Sequence, residues 1–209
     1  MDKNFLIGLK KKIKNKLIIA VTGVPGCGKS LFCSMLASMG FNYISSDACA
    51  AKLLTKKKCY SKILKEFGKS VSDGNLLNKR KLADAVFGDK GKRKRLEAYL
   101  HPLITSEIYS EIKKSEKNIA VIEAPLLFES GFDVFADLTI CVKAKREEIL
   151  KRLYARGWSR REAKIRMSAQ LSQEEKAFKS DMEISNNGNK KELLKKALQI
   201  KKFAESLIS

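Results

Sequence analysis

Short apolar runs alternate with longer segments of helical periodicity along most of the chain. Runs rich in β-branched residues at 17–22, 119–123 and 138–142 predict buried strands, and 41–45 and 182–185 predict two more. Because strands alternate with helices, we predict an α/β fold in which helices cover both faces of a parallel five-stranded sheet. Ligands of such sheets bind beyond the carboxyl ends of the strands, so the residues that follow each run are the first candidates for function.

The segments between these runs predict helices. Helical periodicity starts at Leu31, and a largely helical stretch extends over 48–114, interrupted by the turn-forming residues 72–75. Within that stretch, His101-Pro102 predicts the start of a helix, with the proline at its first position. The remaining helices are predicted at 145–156, 160–178 and 189–208.

Residues 23–30 fit the phosphate-binding pattern G-x-x-x-x-G-K-[ST] at every fixed position. They lie between a predicted strand and a predicted helix, which is the context that this loop requires. Glycines allow successive backbone N–H groups to converge on one anion, and the helix N-terminus adds its partial positive charge. Lys29 is expected to reach the β- and γ-phosphates of a nucleoside triphosphate, and Ser30 to bind Mg²⁺. The loop predicts the nucleotide and leaves the reaction open.

Two carboxylates stand at the ends of predicted strands. Asp47 follows the second strand, where it is expected to accept a proton from an attacking hydroxyl or to hold Mg²⁺ through water. Its alternative role is to cap a helix that begins near Ala48. Glu123 ends the third strand, where P-loop proteins often place an acid linked to Mg²⁺, and an ordinary turn carboxylate is the alternative.

Arginines surround the turn at 157–159. Phosphoryl transfer gathers negative charge on the γ-phosphoryl oxygens, and an arginine that closes over them accelerates the reaction by about 10³–10⁵-fold. The alternative is an ordinary pair of charged helices in which glutamates are the partners. We favour a functional role most for Arg156, which lies beside Gly157. The arginines in question are Arg152, Arg156, Arg160, Arg161 and Arg166.

Length and composition favour a cytoplasmic protein that does not enter a membrane. The 209 residues suffice for one α/β domain, and no apolar run approaches the roughly 20 residues of a membrane span. Residues 1–16 lack the continuous apolar stretch of a secretion signal. Five cysteines without a C-x-x-C pair argue against a zinc site or a disulfide framework.

The net charge of +20, from 43 basic and 23 acidic residues, has two explanations. One is a P-loop ATPase that binds nucleic acid. The other is a solvated basic surface that steers anionic substrates. We favour the second, because the lysine clusters are spread along the chain with few aromatic residues between them.

Several segments together resemble the dephospho-coenzyme A kinase family of P-loop kinases. Besides the phosphate loop, residues 100–104 are similar to the L-H-P-L-I segment of the family, and 125–129 to its P-L-L-F-E segment. Residues 44–47 stand where the family carries an I-D-A-D-type motif. The match is completed by Arg156, Arg166 and Gln170 of the lid pattern and by Asn186 and Gly188 of the closing N-x-G.

The resemblance implies a fold and a reaction. The fold is a three-layer α/β/α arrangement of the nucleoside-monophosphate-kinase type. Its implied parts are a basic extension 1–16 and a domain 17–209, with core 17–47, 116–150 and 180–209, a helical substrate-binding region 48–115 and a lid 151–179. The reaction is phosphorylation of the ribose 3′-hydroxyl of dephospho-CoA by ATP, the last step of coenzyme A synthesis.

The resemblance also implies roles for individual residues. Asp47 would be the general base, and Lys29 and Arg156 would stabilise the moving phosphoryl group. Mg²⁺ would be bound by Ser30, with Asp47 or Glu123. The nucleotide would contact Gly23, Val24, Pro25, Gly26, Cys27, Gly28, Lys29, Ser30, Leu31, Arg156, Asn186 and Gly188. Dephospho-CoA would contact Asp47, His101, Pro125, Leu126 and Arg166.

Three positions depart from the family pattern. Ser45 replaces the first Asp of the acidic pair, which weakens the case for a two-carboxylate metal site and leaves Asp47. Glu123 stands where Asp is more usual, and Gly157 follows Arg156 in place of the common Asp. Another small P-loop kinase, acting on a nucleotide, nucleoside or sugar acid, is an alternative, as is the nucleic-acid-binding ATPase.

Overall fold

The computed structural model describes residues 2–74, 76–87 and 89–208. They divide into two units, one made of 2–45 with 111–208 and the other of 46–110. In chain order the strands are β1 (Leu17–Thr22), β2 (Asn42–Ser45), β3 (Ser72–Asp73), β4 (Leu76–Leu77), β5 (Ile119–Glu123), β6 (Leu138–Lys143) and β7 (Met182–Ser185). The helices are α1 (Lys3–Lys11), α2 (Lys29–Ser38), α3 (Ser46–Leu54), α4 (Lys57–Phe67), α5 (Lys79–Phe87), α6 (Lys90–Lys114), α7 (Arg146–Ala155), α8 (Arg160–Ser168), α9 (Gln173–Lys179) and α10 (Lys190–Ser206), with short 3₁₀ turns at Lys69–Val71 and Phe132–Phe135.

The larger unit contains a parallel five-stranded sheet in the order β2-β5-β1-β6-β7. Every residue of β1 and β5 is buried, which explains why both strands are continuous apolar runs in the sequence. The register pairs Glu123 with Val21 on one side and with Ser45 on the other. The ends of β1, β5 and β2 therefore meet at one edge of the sheet. This topology confirms the fold class predicted from the alternation of strands and helices.

The core of the larger unit joins the sheet to the helices packed on it. Phe32 and Leu36 of α2 and Ala197 and Ile200 of α10 are almost fully buried in one cluster with the strands. The cysteines are free and buried. Burial raises the pKa of the Cys27 thiol, and the neighbouring Lys29 ammonium only partly offsets this effect.

The smaller unit has a separate apolar cluster. Its buried members come from α4, the 3₁₀ turn, α5 and α6, and are Cys59, Ile63, Val71, Leu82, Val86 and Leu100. The strands β3 and β4 follow the 3₁₀ turn in the chain and pair antiparallel with each other. The helical periodicity predicted for 48–114 corresponds to α3, α4, α5 and α6.

The basic N-terminal segment forms a helix that belongs to the larger unit. The Asp2 side chain caps α1 by accepting a hydrogen bond from the backbone N–H of Asn4, at 2.9 Å. Leu6 is fully buried, and α1 packs against the turn Phe132–Phe135. Lys10 forms an ion pair with Asp137. The motifs of the resembled family do not include residues 1–16, so the sequence predicted no role for this segment.

The predicted helix start at His101-Pro102 is wrong. Pro102 lies inside α6, which runs without interruption from Lys90 to Lys114. A proline in a helix interior removes one backbone hydrogen bond and costs about 3 kcal/mol. Leu100 on one side of the proline is buried, and Ile104 on the other packs against the same cluster, so tertiary packing holds the helix together across it.

The single helix predicted at 160–178 is also wrong, because two helices occupy this range. The Ser172 side chain accepts a hydrogen bond from the backbone N–H of Glu175, whose carboxylate in turn accepts one from the backbone N–H of Ser172. This capping box starts α9, and a second one at Ser159 and Glu162 starts α8. The residues between, 169–172, form a linker.

Within the described part of the chain, no helix combines the length and the apolar character that crossing a membrane requires.

We expect Leu6→Ala to lower the free energy of unfolding by about 2–5 kcal/mol, because it removes a fully buried side chain and leaves a cavity. Ile7→Ala is the matched control, since Ile7 lies on the same helix and is 41% exposed. Urea unfolding followed by circular dichroism measures both. Equal effects of the two substitutions would show that α1 is not part of the folded core.

Candidate active site

The loop between β1 and α2 is built around glycines in conformations that other residues rarely adopt. Gly23, Gly26 and Gly28 have φ of 142°, 81° and 102°. A Cβ on Gly28 would lie 2.1 Å from Nδ2 of Asn186, and one on Gly23 would lie 2.4 Å from the carbonyl oxygen of Val142. The loop is therefore restricted to glycine at these positions both by its backbone angles and by the close approach of neighbouring elements.

Lys29 is the first residue of α2, and its side chain extends into this loop and is only 7% exposed. Its ammonium group donates hydrogen bonds to the carbonyl oxygens of Gly23 at 2.8 Å and Val24 at 3.1 Å. The buried charge is thus stabilised by the dipoles of its own loop. A phosphate oxygen is a stronger acceptor than these carbonyls, so the same group is suited to bind a phosphate.

A hydrogen-bonded cluster occupies the edge where β1, β5 and β2 end. The Ser30 hydroxyl donates to Oε1 of Glu123 at 2.7 Å, and the Tyr43 hydroxyl donates to Oε2 at 2.5 Å. Glu123 is 7% exposed. Burial, followed by the hydrogen bond to Glu123, raises the pKa of Tyr43, so this phenol stays a donor at neutral pH. Both oxygens of the carboxylate are held in fixed positions.

The oxygen donors of this cluster fit Mg²⁺. Mg²⁺ prefers oxygen ligands and is usually bound through one or two protein groups together with substrate phosphates. The Ser30 hydroxyl and the Glu123 carboxylate supply that number of groups beside the phosphate loop. Among the residues that the structure describes, no cluster of three or more His, Cys, Asp or Glu side chains could hold a metal by itself.

Arg152 and Asn186 brace the far side of the phosphate loop. The Arg152 guanidinium donates to the carbonyl oxygens of Gly26, Cys27 and Asn186 at 3.4, 3.3 and 3.0 Å. Nδ2 of Asn186 donates to the carbonyl of Cys27 at 2.8 Å. Arg152, predicted as one of the candidate arginines of the lid, therefore contacts the loop backbone in this structure, and Asn186 is held against the same backbone by its bond to Cys27.

The other arginines of the predicted lid lie further along the chain. Arg156 is exposed at the C-cap of α7, next to Gly157 with φ of 83°. The guanidinium of Arg166 lies over the ring of Trp158, 4.5 Å from its centroid. A cavity of about 690 Å³ is lined by residues of α7, α8 and α9, and Val24 of the phosphate loop also lines it. Its lining includes Val24, Arg146, Tyr154, Arg160, Lys164 and Gln170.

The loop after β5 contains the PLLFE segment. Leu127 is fully buried and anchors this loop in the core. The carbonyl of Pro125 accepts hydrogen bonds from the Lys176 ammonium at 2.6 Å and from the Thr22 hydroxyl at 3.4 Å. Lys176 also donates to Glu129 at 2.7 Å. The segment is thus fixed at both ends.

Three comparisons with known proteins agree with this geometry. A family model described as dephospho-CoA kinase matches residues 17–192. A dephospho-CoA kinase of Fusobacterium nucleatum is 34% identical over 194 residues, which cover 91% of this chain and 98% of that protein. A crystal structure from Thermus thermophilus matches at 34% identity with a TM-score of 0.81, covering 90% of this chain and 96% of that one. A dephospho-CoA kinase from Campylobacter jejuni matches at 28% identity with a TM-score of 0.66, covering 93% and 99%.

The chain belongs to the dephospho-CoA kinase family. Membership assigns it dephospho-CoA kinase activity, confirms the reaction predicted from the motifs, and sets aside the hypothesis of another small-metabolite kinase. As a P-loop kinase of this family, it uses ATP as a substrate. The helix α1 precedes the matched residues.

The remaining predicted residues of the dephospho-CoA kinase site are placed as follows. Asp47 lies exposed in the first turn of α3, which begins at Ser46, and is therefore not the N-cap of a helix starting at Ala48. His101 lies in α6, and burial lowers the pKa of its imidazole, which keeps it neutral at pH 7. Leu31 and Gly188 are exposed. Asp47 and His101 both belong to the unit 46–110.

Two residues that shape this kinase site, Tyr43 and Lys176, were not predicted from the sequence, and neither were the loop contacts of Arg152. Tyr43 shares one face of β2 with Ser45, and that alternation was the available signal for its position at the strand edge. Arg152 was noted for its spacing from Arg156, but its contacts with loop carbonyls have no sequence signature. Lys176 is one lysine among many in a charged segment, and nothing in the sequence distinguishes it.

We expect Gly28→Ala to weaken nucleotide binding at least about tenfold, because the new Cβ displaces Asn186 and opens its bond to the loop. Gly40→Ala is the matched control, since Gly40 has φ of 103° and a Cβ there meets nothing within 4 Å. Gly40→Ala should lower only the free energy of unfolding, by roughly 1–2 kcal/mol, because alanine is strained in a left-handed backbone conformation. Calorimetric titration with ATP measures affinity, and equal affinities of the two variants would contradict this role of Asn186.

Proposed function

We propose a division of roles among the residues of this enzyme for transfer of the γ-phosphoryl group of ATP to the ribose 3′-hydroxyl of dephospho-CoA. The observation that carries the proposal is the 2.7 Å hydrogen bond between Ser30 and Glu123 at the strand edge beside Lys29. It brings a metal-binding hydroxyl, a buried carboxylate and the phosphate loop into one place.

The phosphate loop holds the triphosphate of ATP. Its backbone N–H groups and the N-terminus of α2 surround the phosphates, and Lys29 exchanges its loop carbonyls for β- and γ-phosphate oxygens. The bond from Asn186 to Cys27 supports a place for the adenine near Asn186 and Gly188. The lining of this part of the site is completed by Val24, Pro25, Gly26 and Leu31.

Ser30 and Glu123 would hold Mg²⁺. When bound there, the ion would neutralise negative charge on the phosphates of ATP. Tyr43 keeps the second carboxylate oxygen of Glu123 fixed, which orients the first toward Ser30. Asp47 is a further candidate ligand through water.

Asp47 is the general base of the proposal. It follows the last residue of β2 by two positions, and Ser45 of that strand pairs with Glu123. A carboxylate at this point accepts the proton of the attacking hydroxyl as the new bond from its oxygen to the γ-phosphorus forms and the bond from that phosphorus to the bridging oxygen breaks, which releases ADP.

Arg156 stabilises the charge of the transferred phosphoryl group. Gly157 allows the chain to turn directly after Arg156. Arg156 is exposed, which leaves its guanidinium able to move. His101, Pro125, Leu126 and Arg166 are proposed to contact dephospho-CoA, on the basis of the family motifs that contain them.

We also propose that the enzyme works in the cytoplasm and that nucleic acid is not its partner. Free, buried cysteines suit a reducing compartment. Family membership accounts for the phosphate loop without an RNA or DNA substrate, and the charge of +20 suits anionic substrates.

The test of the reaction is an ADP-release assay with ATP, Mg²⁺ and dephospho-CoA, in which coenzyme A is identified by chromatography. Nucleoside monophosphates are tested as alternative acceptors, and RNA is tested for an effect on turnover. Phosphorylation of a nucleoside monophosphate without dephospho-CoA, or turnover that requires RNA, would overturn the proposal.

We expect Asp47→Asn to lower kcat by roughly 10²–10⁴-fold with ATP binding nearly unchanged, because the proton acceptor is lost and the shape is kept. Asp84→Asn is the control, since Asp84 is an exposed carboxylate in the same unit. Steady-state kinetics and calorimetric titration with ATP separate the two effects. Near-normal turnover of Asp47→Asn would limit Asp47 to a structural role in α3.

We expect Glu123→Gln to raise the Mg²⁺ concentration for half-maximal rate about 10–100-fold, because a neutral amide is a weaker ligand than a carboxylate. Glu183→Gln is the control, since Glu183 forms an exposed ion pair with Lys143 on β6. Mg²⁺ titration of the rate at saturating ATP measures the effect. Identical Mg²⁺ curves for both variants would exclude Glu123 from the metal site.

A further inference from the structure

Lys176 of α9 is a lysine with no exposed side-chain surface, outside the residues to which the proposed function gives a role. Burying an ammonium group is unfavourable unless strong acceptors surround it. Its acceptors are the Pro125 carbonyl at 2.6 Å and the Glu129 carboxylate at 2.7 Å. Burial, and to a smaller extent the charge of Lys29, lowers the pKa of Lys176, while Glu129 raises it.

Glu129 connects this lysine to the linker that follows α8. The same oxygen that accepts from Lys176 also accepts from the backbone N–H of Leu171, at 2.8 Å. Leu171 lies in the linker 169–172, where the helix carrying Arg166 ends. The start of α9 is held separately, because the Gln173 side chain accepts from the backbone N–H of Ala144 at 2.8 Å.

Pro125 connects the lysine to the phosphate loop. Its carbonyl also accepts from the hydroxyl of Thr22, which is fully buried and directly precedes Gly23. One buried ammonium group thus contacts the loop that follows β5, and Glu129 connects it to the linker that follows α8. The first of these loops contains Pro125 and Leu126, proposed above as acceptor contacts.

We propose that Lys176 and Glu129 are positioning residues that fix a hinge in the linker 169–172, between the two helices α8 and α9 of the segment predicted as the lid. The proposal rests on the proposed function. In it, the Lys176–Glu129 pair is a fixed point about which α8 moves, while the loop 124–131 stays in place. In this proposal the pair contacts the protein only, at the Pro125 carbonyl and the Leu171 backbone N–H, and not the substrates. It acts through the position of α8 and of the loop after β5.

A positioning role predicts a particular kinetic pattern. Loss of the hinge is expected to leave ATP affinity nearly unchanged, because Arg152 and Asn186 still brace the phosphate loop and the Thr22 hydroxyl keeps the Pro125 carbonyl as its acceptor. It misplaces the groups that must converge in the transition state, and a shift of about 1 Å can lower the rate on the order of 10²-fold. The loss should therefore appear in kcat and not in ATP binding.

The natural reporter of the hinge is Trp158, the sole tryptophan of the chain. It lies between α7 and α8, packs against the core and stacks with Arg166. Its fluorescence on saturation with a non-hydrolysable ATP analogue reports a change around α8 without any turnover.

The experiment compares Lys176→Met with Lys179→Met, an exposed lysine on the same helix. We expect Lys176→Met to lower kcat about 10–100-fold and to reduce the Trp158 response, with analogue affinity within about threefold of the original protein. Lys179→Met should change none of these.

A double variant tests whether the pair acts as one unit. Glu129→Ala should resemble Lys176→Met, and the double variant should lose little more than either alone, because both remove the same hinge. Thermal unfolding of each variant gives the folded fraction at the assay temperature. Rates are expressed per folded molecule.

The outcomes are distinct. The hinge would be overturned if kcat and the Trp158 response were unchanged in Lys176→Met, or if unfolded protein explained the whole loss of rate. Additive losses in the double variant would also overturn it. So would a Trp158 signal that does not respond to the analogue in the original protein. Failure of the original protein to phosphorylate dephospho-CoA would instead overturn the proposed function, and the Trp158 comparison would still test the hinge.

Discussion

Parallel pairing of β5 with both β1 and β2 is the constraint on which the site depends. It brings the ends of three strands to one edge, with Glu123 in register with Val21 and Ser45. The phosphate loop leaves β1 at that edge, and Tyr43 reaches Glu123 from β2. Each group is local to its own strand, so their meeting is a property of the sheet and not of any single motif.

Much of the fold was predictable because strands that are buried on both faces consist of apolar residues, which the sequence shows directly. The strands β1 and β5 are buried along their whole length, so both are apolar runs, and the predicted bounds 17–22 and 119–123 coincide with them. The phosphate loop was predictable because its glycines answer a local backbone requirement. The errors at Pro102 and at 160–178 arose where packing or a capping box overrode simple periodicity.

The support of the site was harder to predict, because its contacts join distant parts of the chain. Arg152 reaches a carbonyl 126 residues away, and Lys176 one 51 residues away. Their acceptors are mainly backbone carbonyls, which every residue possesses and which leave no trace in the sequence. In a chain with 43 basic residues, no composition argument could single out these two. Only the folded backbone shows which cations are structural.

The contacts of Lys29 have a consequence for which anions the enzyme ignores. Its ammonium group already has two acceptors inside the loop, at Gly23 and Val24. A ligand that binds Lys29 must therefore replace these two carbonyls as its hydrogen-bond acceptors. A weak or monovalent anion such as chloride offers too little in return, whereas a polyphosphate offers several charged oxygens at once. We therefore expect the loop to bind polyphosphates far more tightly than monovalent anions such as chloride.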